Sequence, residues 1–177
     1  MHSVIHEIIR STEERVKLIS YHHCNKYSSS DKRGIVASIE KKRDEGKVAV
    51  ISEVKPASPR RKLRDIPPED AAVIARMMEQ AGAVAISVLT EPQFFRGSLD
   101  NLLAVRESVR IPVLRKDFII NEIQVEEVES DMILLIVSVL GESVREMVRL
   151  VRSKGMEPLV EVHDQEDLIS PCQQMPA

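Results

Sequence analysis

The sequence predicts an α/β fold built around a parallel β-sheet, and three observations support this prediction. Five short apolar runs of strand length, rich in β-branched residues, recur along the chain. Amphipathic stretches of helical period separate these runs, so predicted strands and helices alternate. Residues 132–139 are apolar at every position but one, which is typical of a strand buried on both faces. A doubly wound sheet and a (β/α) barrel both fit this pattern.

The predicted strands occupy residues 48–51, 83–89, 111–114, 132–139 and 158–162. Three of these segments follow a glycine of the kind that ends helices, at Gly46, Gly82 and Gly155. Each of those three strands is therefore expected to begin just after a completed helix.

Predicted helices fill the intervals between the strands. Pro67 and Pro68 open one helix, because proline suits the first turn and acidic residues follow it at the positive end of the helix dipole. Ser98 is the expected N-cap of a helix over residues 99–109. A further helix is predicted over residues 142–153.

We expect one domain over residues 1–168. Residues 1–47 read as a mostly helical N-terminal extension with a polar hinge at 22–30. The interval 118–131 must hold a loop and a return turn as well as a helix, so that helix should be short. Residues 169–177 contain two prolines and no apolar period, which predicts a disordered tail.

Composition excludes several classes of function. The 177 residues are 43% hydrophobic with a net charge of -3, which gives no reason to expect a nucleic-acid or membrane partner. Aromatic residues are 3% of the chain, too few to suggest a stacking platform for bases. Cys24 and Cys172 are too far apart in sequence to suggest a disulfide framework or a metal site. With no recognisable signal peptide, we expect a reduced, soluble, cytoplasmic protein.

Charged residues occur at the carboxyl ends of three predicted strands, on the same face as buried aliphatic residues. They are Glu53 and Lys55 on the first strand, Lys116 on the third and Glu161 on the fifth. Charges on a buried face are costly unless they pair, and two carboxylates could pair with two lysines. In parallel α/β proteins the active site forms at these strand ends.

A structural interpretation competes with the functional one. A single Glu-x-Lys pair at a strand end is more often a solvated salt bridge, and Lys116 alone is more often a rim charge. Glu161, between the apolar residues Val160 and Val162, favours a functional role, because a lone buried carboxylate needs a reason. Charged residues at the ends of three separate strands strengthen the functional interpretation.

Several strings resemble the strand motifs of the indole-3-glycerol-phosphate synthase family. They are ISEVKPASP at 51–59, ISVLTEPQFFRGSL at 86–99, IPVLRKDFI at 111–119, LLIV at 134–137 and EPLVEVHD at 157–164. The second and third strings are highly specific. The resemblance implies a (β/α)8 barrel of the TIM-barrel type and a carboxy-lyase, a carbon-carbon lyase of tryptophan biosynthesis. Such an enzyme closes the ring of 1-(2-carboxyphenylamino)-1-deoxyribulose 5-phosphate, giving indole-3-glycerol phosphate, CO2 and water, without metal or organic cofactor.

The resemblance also implies roles for the charged residues. Lys116 would be the general acid that polarises the ketone oxygen of the substrate. Glu161 would stabilise the cationic intermediate and take part in dehydration. Lys55, oriented by Glu53, would serve the phosphate end and a proton transfer in dehydration. Ammonium groups suit a phosphorylated, carboxylate-bearing small molecule, and a carboxylate suits transient positive charge.

The same resemblance places five residues around the anthranilate ring of the substrate, namely Ser58, Pro59, Phe95, Phe118 and Leu134. The family pattern usually continues after the Ser-Pro pair with small residues and a glycine. This chain has Arg60, Arg61 and Lys62 there instead.

The resemblance covers about five strand–helix units, so the expected fold is an incomplete (β/α)8 barrel with an N-terminal helical extension. The missing units would supply the backbone amides of the phosphate site. We therefore expect negligible turnover by the chain alone. The alternatives are an inactive truncated fragment, at most a phosphate-binding or interaction module, and half of a split enzyme. Open sheet edges predict self-association or a complementing partner.

Overall fold

The computed structural model describes residues 3–19 and 33–165. The predicted polar hinge, the predicted tail and both cysteines lie outside these ranges. Within them, no helix is both long and apolar enough to cross a membrane.

Strands and helices alternate along the chain. The strands are β1 (Ile51–Val54), β2 (Ala57–Ser58), β3 (Arg61–Lys62), β4 (Ala85–Leu89), β5 (Val113–Lys116), β6 (Met132–Ile136) and β7 (Glu157–Glu161). The α-helices are α1 (Ser3–Val16), α2 (Ile35–Asp44), α3 (Pro68–Gln80), α4 (Leu99–Ser108), α5 (Glu122–Glu127), α6 (Val137–Leu140) and α7 (Val144–Ser153), and a 3-10 turn over Gly141–Ser143 precedes α7. The six-residue α5 confirms the prediction of a short helix before the fourth predicted strand.

Two predicted strands differ from those observed by three residues at one or both ends, and the other three differ by at most two. β1 begins at Ile51, while Val48 lies outside it with 83% of its surface exposed, because pairing with β4 runs from Ile51 to Val54. The long apolar run from residue 132 divides into β6 and the helical turn α6. A short apolar run fits a buried strand and a buried helix equally well, so hydrophobicity alone did not place this boundary.

The described residues group into two compact units. Unit 1 comprises residues 3–19, 118–128 and 133–165, and unit 2 comprises residues 33–117 and 129–132. The prediction of a single domain over residues 1–168 stays a prediction.

Unit 2 contains the parallel strands β1, β4 and β5 in that spatial order. All five residues of β4 are buried, as its central position between β1 and β5 requires. Helices α3 and α4 pack on these strands and on each other, and Ala71 and Ala75 of α3 are fully buried. Ser98 caps α4 as predicted, because its hydroxyl accepts the N–H of Asn101 at 3.1 Å.

Unit 1 has its own apolar core. Helix α7 contributes a stripe at helical spacing, formed by Val144, Met147, Val148 and Val151. This stripe packs in one cluster with buried residues of β6, including Ile133 and Leu135. The short α5 is fixed by a capping box in which Asn121 and Gln124 exchange side-chain and backbone hydrogen bonds.

A buried carboxylate joins the start of β5 to the segment before β6. The Oδ2 of Asp131 accepts the N–H of Val113 at 2.9 Å, and the N–H of Asp131 donates to the carbonyl of Val113 at 3.1 Å. The guanidinium groups of Arg106 and Arg33 lie 3.4 and 3.8 Å from the same carboxylate. Burial nevertheless raises the pKa of Asp131 above its ordinary value of 3.8, although these three neighbours oppose the shift.

This shift predicts a pH dependence of stability. Because the pKa of Asp131 is higher in the folded than in the unfolded chain, the folded state holds the proton more tightly. The contribution of Asp131 to the free energy of unfolding should therefore fall as pH rises from 3.8 through the raised pKa. Asp131→Asn removes this contribution, so the stability of the wild type minus that of the variant should decline across the same window and then level off.

Urea unfolding over a pH series that starts below 3.8 and extends to neutrality measures this difference. Asp100→Asn is the matched control, because Asp100 is exposed on α4 in the same unit. A difference that grows with pH over the window would show that the shift has the opposite sign.

Candidate active site

Unit 2 brings three of the predicted catalytic side chains together at the strand ends. The Nζ of Lys116 lies 2.8 Å from Oε2 of Glu53, and the Nζ of Lys55 lies 3.6 Å from Oε1 of the same carboxylate. Their side chains are between 29% and 37% exposed, so a ligand could reach them. One carboxylate thus holds two ammonium groups side by side, and the cluster has a net charge of +1.

The sheet register explains how these residues meet. Glu53 on β1 and Lys116 on β5 are separated by β4, where Glu53 pairs with Ser87 and Lys116 pairs with Leu89. Side chains at paired positions share a face, so the two long charged side chains reach across β4 from either side. Ser87 is small and buried, and its hydroxyl has no hydrogen-bond partner among the described residues.

A buried network fixes the strand end that carries Lys116. The hydroxyl of Thr90 donates to Oδ2 of Asp117 at 2.7 Å, and the N–H of Thr90 donates to the carbonyl of Lys116 at 3.0 Å. The guanidinium of Arg115 lies 3.4 Å from the same Asp117 oxygen, and both of these side chains are fully buried. A buried, hydrogen-bonded ion pair restricts the backbone on either side of Lys116. Sequence reasoning missed this network, although the charged residues flanking Lys116 were a visible signal.

Lys55 also faces an aromatic ring. Its Nζ lies 5.6 Å from the centroid of the Phe95 ring, within the range of a cation–π interaction. Phe95 lies in the loop between β4 and α4, and its carbonyl accepts the N–H of Ala57 at 3.1 Å. The predicted pocket residue Phe95 is therefore placed beside the predicted phosphate-end lysine.

The basic segment that departs from the family pattern forms a hairpin. Strands β2 and β3 pair antiparallel, so that Ser58 lies opposite Arg61, and Pro59 is exposed at the turn. Lys62 donates to Asp65 at 2.6 Å, and Arg96 of the β4–α4 loop lies 3.4 Å from the other oxygen of Asp65. The hydrogen bond from Lys62 lowers the pKa of Asp65 below its ordinary value, so this link between hairpin and loop is ionised at neutral pH.

The remaining predicted site residues belong to unit 1. Leu134 is buried in β6, and the carbonyl of Phe118 accepts the side-chain N–H of Gln124 at 3.0 Å. Glu161 is 36% exposed and lies 3.2 Å from Nε2 of His163. The expectation that Glu161 is a lone buried carboxylate is wrong, because Leu159, on the same face of β7, is itself 37% exposed.

Within the described ranges, no group of three or more His, Cys, Asp or Glu side chains converges as metal ligands would. The geometry of unit 2 suits acid–base chemistry on a bound anion. Two ammonium groups held by one carboxylate can donate protons and attract negative charge, and an aromatic wall lies beside them.

Comparison with known proteins identifies relatives along most of the chain. A family model described as indole-3-glycerol phosphate synthase matches residues 3–174. The indole-3-glycerol phosphate synthase of Methanopyrus kandleri is 47% identical over 131 residues, covering 71% of this chain and 52% of the relative. The enzyme of the same name from Syntrophobacter fumaroxidans is 38% identical over 172 residues, covering 94% of this chain and 64% of the relative. The chain thus spans between 52% and 64% of the length of these two curated relatives.

Solved structures share the fold at low sequence identity. An N-acetylmannosamine-6-phosphate 2-epimerase from Clostridium perfringens aligns with a TM-score of 0.51 at 16% identity, over 84% of this chain and 64% of that one. MenC from Desulfotalea psychrophila aligns with a TM-score of 0.50 at 12% identity, over 75% of this chain and 36% of that one. These likenesses bear on the fold alone. With the family match, they confirm the predicted α/β fold of the TIM-barrel type.

The loop that carries Phe95 closes through a glycine. A Cβ built on Gly97 would overlap the carbonyl carbon and oxygen of Leu89 and lie 2.7 Å from the N of Thr90. Because these are backbone atoms of β4, they cannot move aside without disturbing the strand. Gly97→Ala should therefore lower the free energy of unfolding by about 1–3 kcal/mol, the range for overpacked sites.

Gly34→Ala is the control for that substitution. Gly34 is the N-cap of α2 with φ -84°, and no atom lies within 4 Å of its built Cβ. Its replacement should cost less than about 1 kcal/mol, as for a weak cap. Urea unfolding compares the two variants, and equal losses would mean that the close approach at Gly97 does not constrain the loop.

Proposed function

This chain belongs to the indole-3-glycerol phosphate synthase family, and from that premise we propose that it carries acid–base residues for the ring-closing reaction of that name. The substrate is 1-(2-carboxyphenylamino)-1-deoxyribulose 5-phosphate, and the products are indole-3-glycerol phosphate, CO2 and water. The observation that carries the proposal is the carboxylate of Glu53 between the ammonium groups of Lys55 and Lys116.

Lys116 acts first in this proposal. The ring carbon that bears the carboxylate attacks the ketone carbon, and the ammonium of Lys116 gives its proton to the oxygen that becomes a hydroxyl. The hydrogen bond of 2.8 Å to Glu53 orients that ammonium, and the buried Thr90–Asp117 contact fixes the backbone behind it. This attack leaves a positive charge on the substrate nitrogen. When CO2 departs, the electron pair of its bond to the ring neutralises that charge, and the ring becomes aromatic again.

Lys55 and Glu161 serve the later steps. The hydroxyl leaves as water after protonation, and a proton leaves the neighbouring carbon to form the indole double bond. Lys55 takes part in these proton transfers, and its position beside Phe95 keeps its ammonium near the apolar wall of the pocket. Glu161, accessible at the end of β7, stabilises transient positive charge on the substrate.

Electrostatics support an anionic substrate. The Glu53 cluster has a net positive charge, and Arg60, Arg61 and Arg64 are exposed on and beside the hairpin that follows β1. Positive charge around a cleft concentrates anions there and speeds their association. The family resemblance also assigns Ser58, Pro59, Phe118 and Leu134 to substrate binding. The proposed location is the cytoplasm.

Mutation of Lys116 tests the reaction. The chain is assayed alone and mixed with a separately expressed polypeptide that supplies the remaining length of the Methanopyrus kandleri relative. Product is followed by indole fluorescence. The mixture should turn over and the chain alone should not, because the chain spans 52% of the length of that relative. Lys116→Ala should reduce turnover by the mixture at least about 100-fold, since it removes the general acid.

Lys41→Ala is the control, because Lys41 is exposed on α2 and lies outside the proposed site. Equal turnover by the wild type and Lys116→Ala would disprove the role of Lys116. A mixture that binds substrate without any turnover would favour the alternative, in which the chain is an inactive phosphate-binding or interaction module.

Self-association through β1 is also part of the proposal. β1 is an edge strand among the described residues, and exposed apolar side chains lie on it and just before it. Val48 is 83% exposed, Val50 51% and Ile51 39%. Edge strands with exposed apolar residues pair readily with other chains.

We therefore expect the chain alone to be oligomeric by light scattering coupled to size exclusion. The double variant Val48→Lys and Val50→Lys should shift it towards monomer, because lysine next to an edge strand opposes pairing with another chain. Val36→Lys, at an exposed valine of α2, is the control. A monodisperse wild-type monomer would contradict the proposal.

A further inference from the structure

A carboxylate without a role in the proposed reaction lies inside the β4–α4 loop. Glu91 is 1% exposed, and three consecutive backbone N–H groups donate to it. Those of Phe94 and Phe95 reach Oε2 at 2.7 and 2.9 Å, and that of Gln93 reaches Oε1 at 3.0 Å. Hydrogen bonds to a buried charge are shorter and stronger than neutral ones. The side chain therefore determines the path of the loop backbone.

Backbone contacts within the β4–α4 loop hold the end of the loop that precedes α4. The N–H of Gly97 donates to the carbonyl of Glu91 at 2.8 Å, and Arg96 adopts a φ of 53°, which is uncommon for a residue with a side chain. A conformation of that kind persists where surrounding contacts enforce it. The Glu91 carboxylate supplies such contacts on the preceding three residues.

Phe95 connects the Glu91 carboxylate to Lys55. The backbone N–H of Phe95 is fixed by Glu91, its carbonyl by Ala57, and its ring faces the ammonium of Lys55 at 5.6 Å. Lys55 in turn pairs with Glu53. We propose that Glu91 is a positioning residue, which holds the Phe95 ring against Lys55 and thereby orients that lysine for reaction. This inference rests on the proposed function.

An NMR measurement tests the positioning without turnover. In the chain labelled with 13C-lysine, the ring current of Phe95 shifts the ε-methylene resonance of Lys55, which is assigned by its loss in Lys55→Arg. Phe95→Leu defines the position of this resonance without the ring. Glu91→Gln keeps the size of the side chain but removes its charge and one acceptor oxygen, so it should move the resonance most of the way to the Phe95→Leu value.

Glu107→Gln is the matched control, because it is the same substitution at an exposed position of α4. It should leave the resonance at the wild-type position. If Glu91→Gln also leaves it there, the inference is wrong, whatever the activity of the chain.

A double-mutant cycle tests the consequence for the reaction, in the two-polypeptide assay described above. Glu91→Gln alone should lower kcat about tenfold, because a small displacement of a reacting group is costly. In the Phe95→Leu background it should lower kcat less than about twofold, because the effects of two substitutions do not add when one residue acts through the other. Equal fold-losses in both backgrounds would overturn the inference, since they would indicate a general structural effect.

Two further measurements distinguish failure of this inference from failure of the protein to fold and from failure of the proposed function. Glu91→Asp keeps the charge on a shorter side chain and should give an intermediate shift of the Lys55 resonance. If neither Glu91 variant folds by urea titration, Glu91 is a folding residue and the inference fails. Failure of the proposed function itself is read separately, from turnover that is insensitive to Lys116→Ala.

Discussion

The proposed site of this protein depends on one carboxylate shared by two ammonium groups. Glu53 accepts a hydrogen bond from Lys116 at 2.8 Å and lies 3.6 Å from the ammonium of Lys55. Two lysines side by side would repel each other, and the carboxylate between them reduces that cost while leaving a net positive charge. Exposed ion pairs add little stability, so the importance of this contact lies in orientation.

Two buried carboxylates maintain the geometry around it. Asp117 joins the ends of β4 and β5 behind Lys116, through Thr90 and Arg115. Glu91 determines the backbone of the loop that brings Phe95 to Lys55. Both carboxylates are satisfied by several donors, as burial of a charge requires. The exposed charges of the site are thus supported by charges that solvent does not reach.

Much of this arrangement could be predicted from periodicity and residue type. Alternation along the strands placed Glu53, Lys55 and Lys116 on one face, and the structure brings these three together. The same reasoning treated Glu161 as buried, yet it is 36% exposed. Neighbours in sequence indicate which face a residue occupies, but its burial depends on what covers that face. Glu91 escaped prediction because its partners are backbone N–H groups, which leave no trace in residue type.

The sequence by itself determined the order of the five longer strands and the helices between them, the position of Ser98 as a cap and the charged strand ends, because these follow from local periodicity and backbone chemistry. Only the tertiary structure decided that one carboxylate would serve two lysines. Glu53 and Lys116 are 63 residues apart in the chain, and their contact depends on the register of β1 and β5 against β4. Register is set by packing of whole strands, which no single motif specifies.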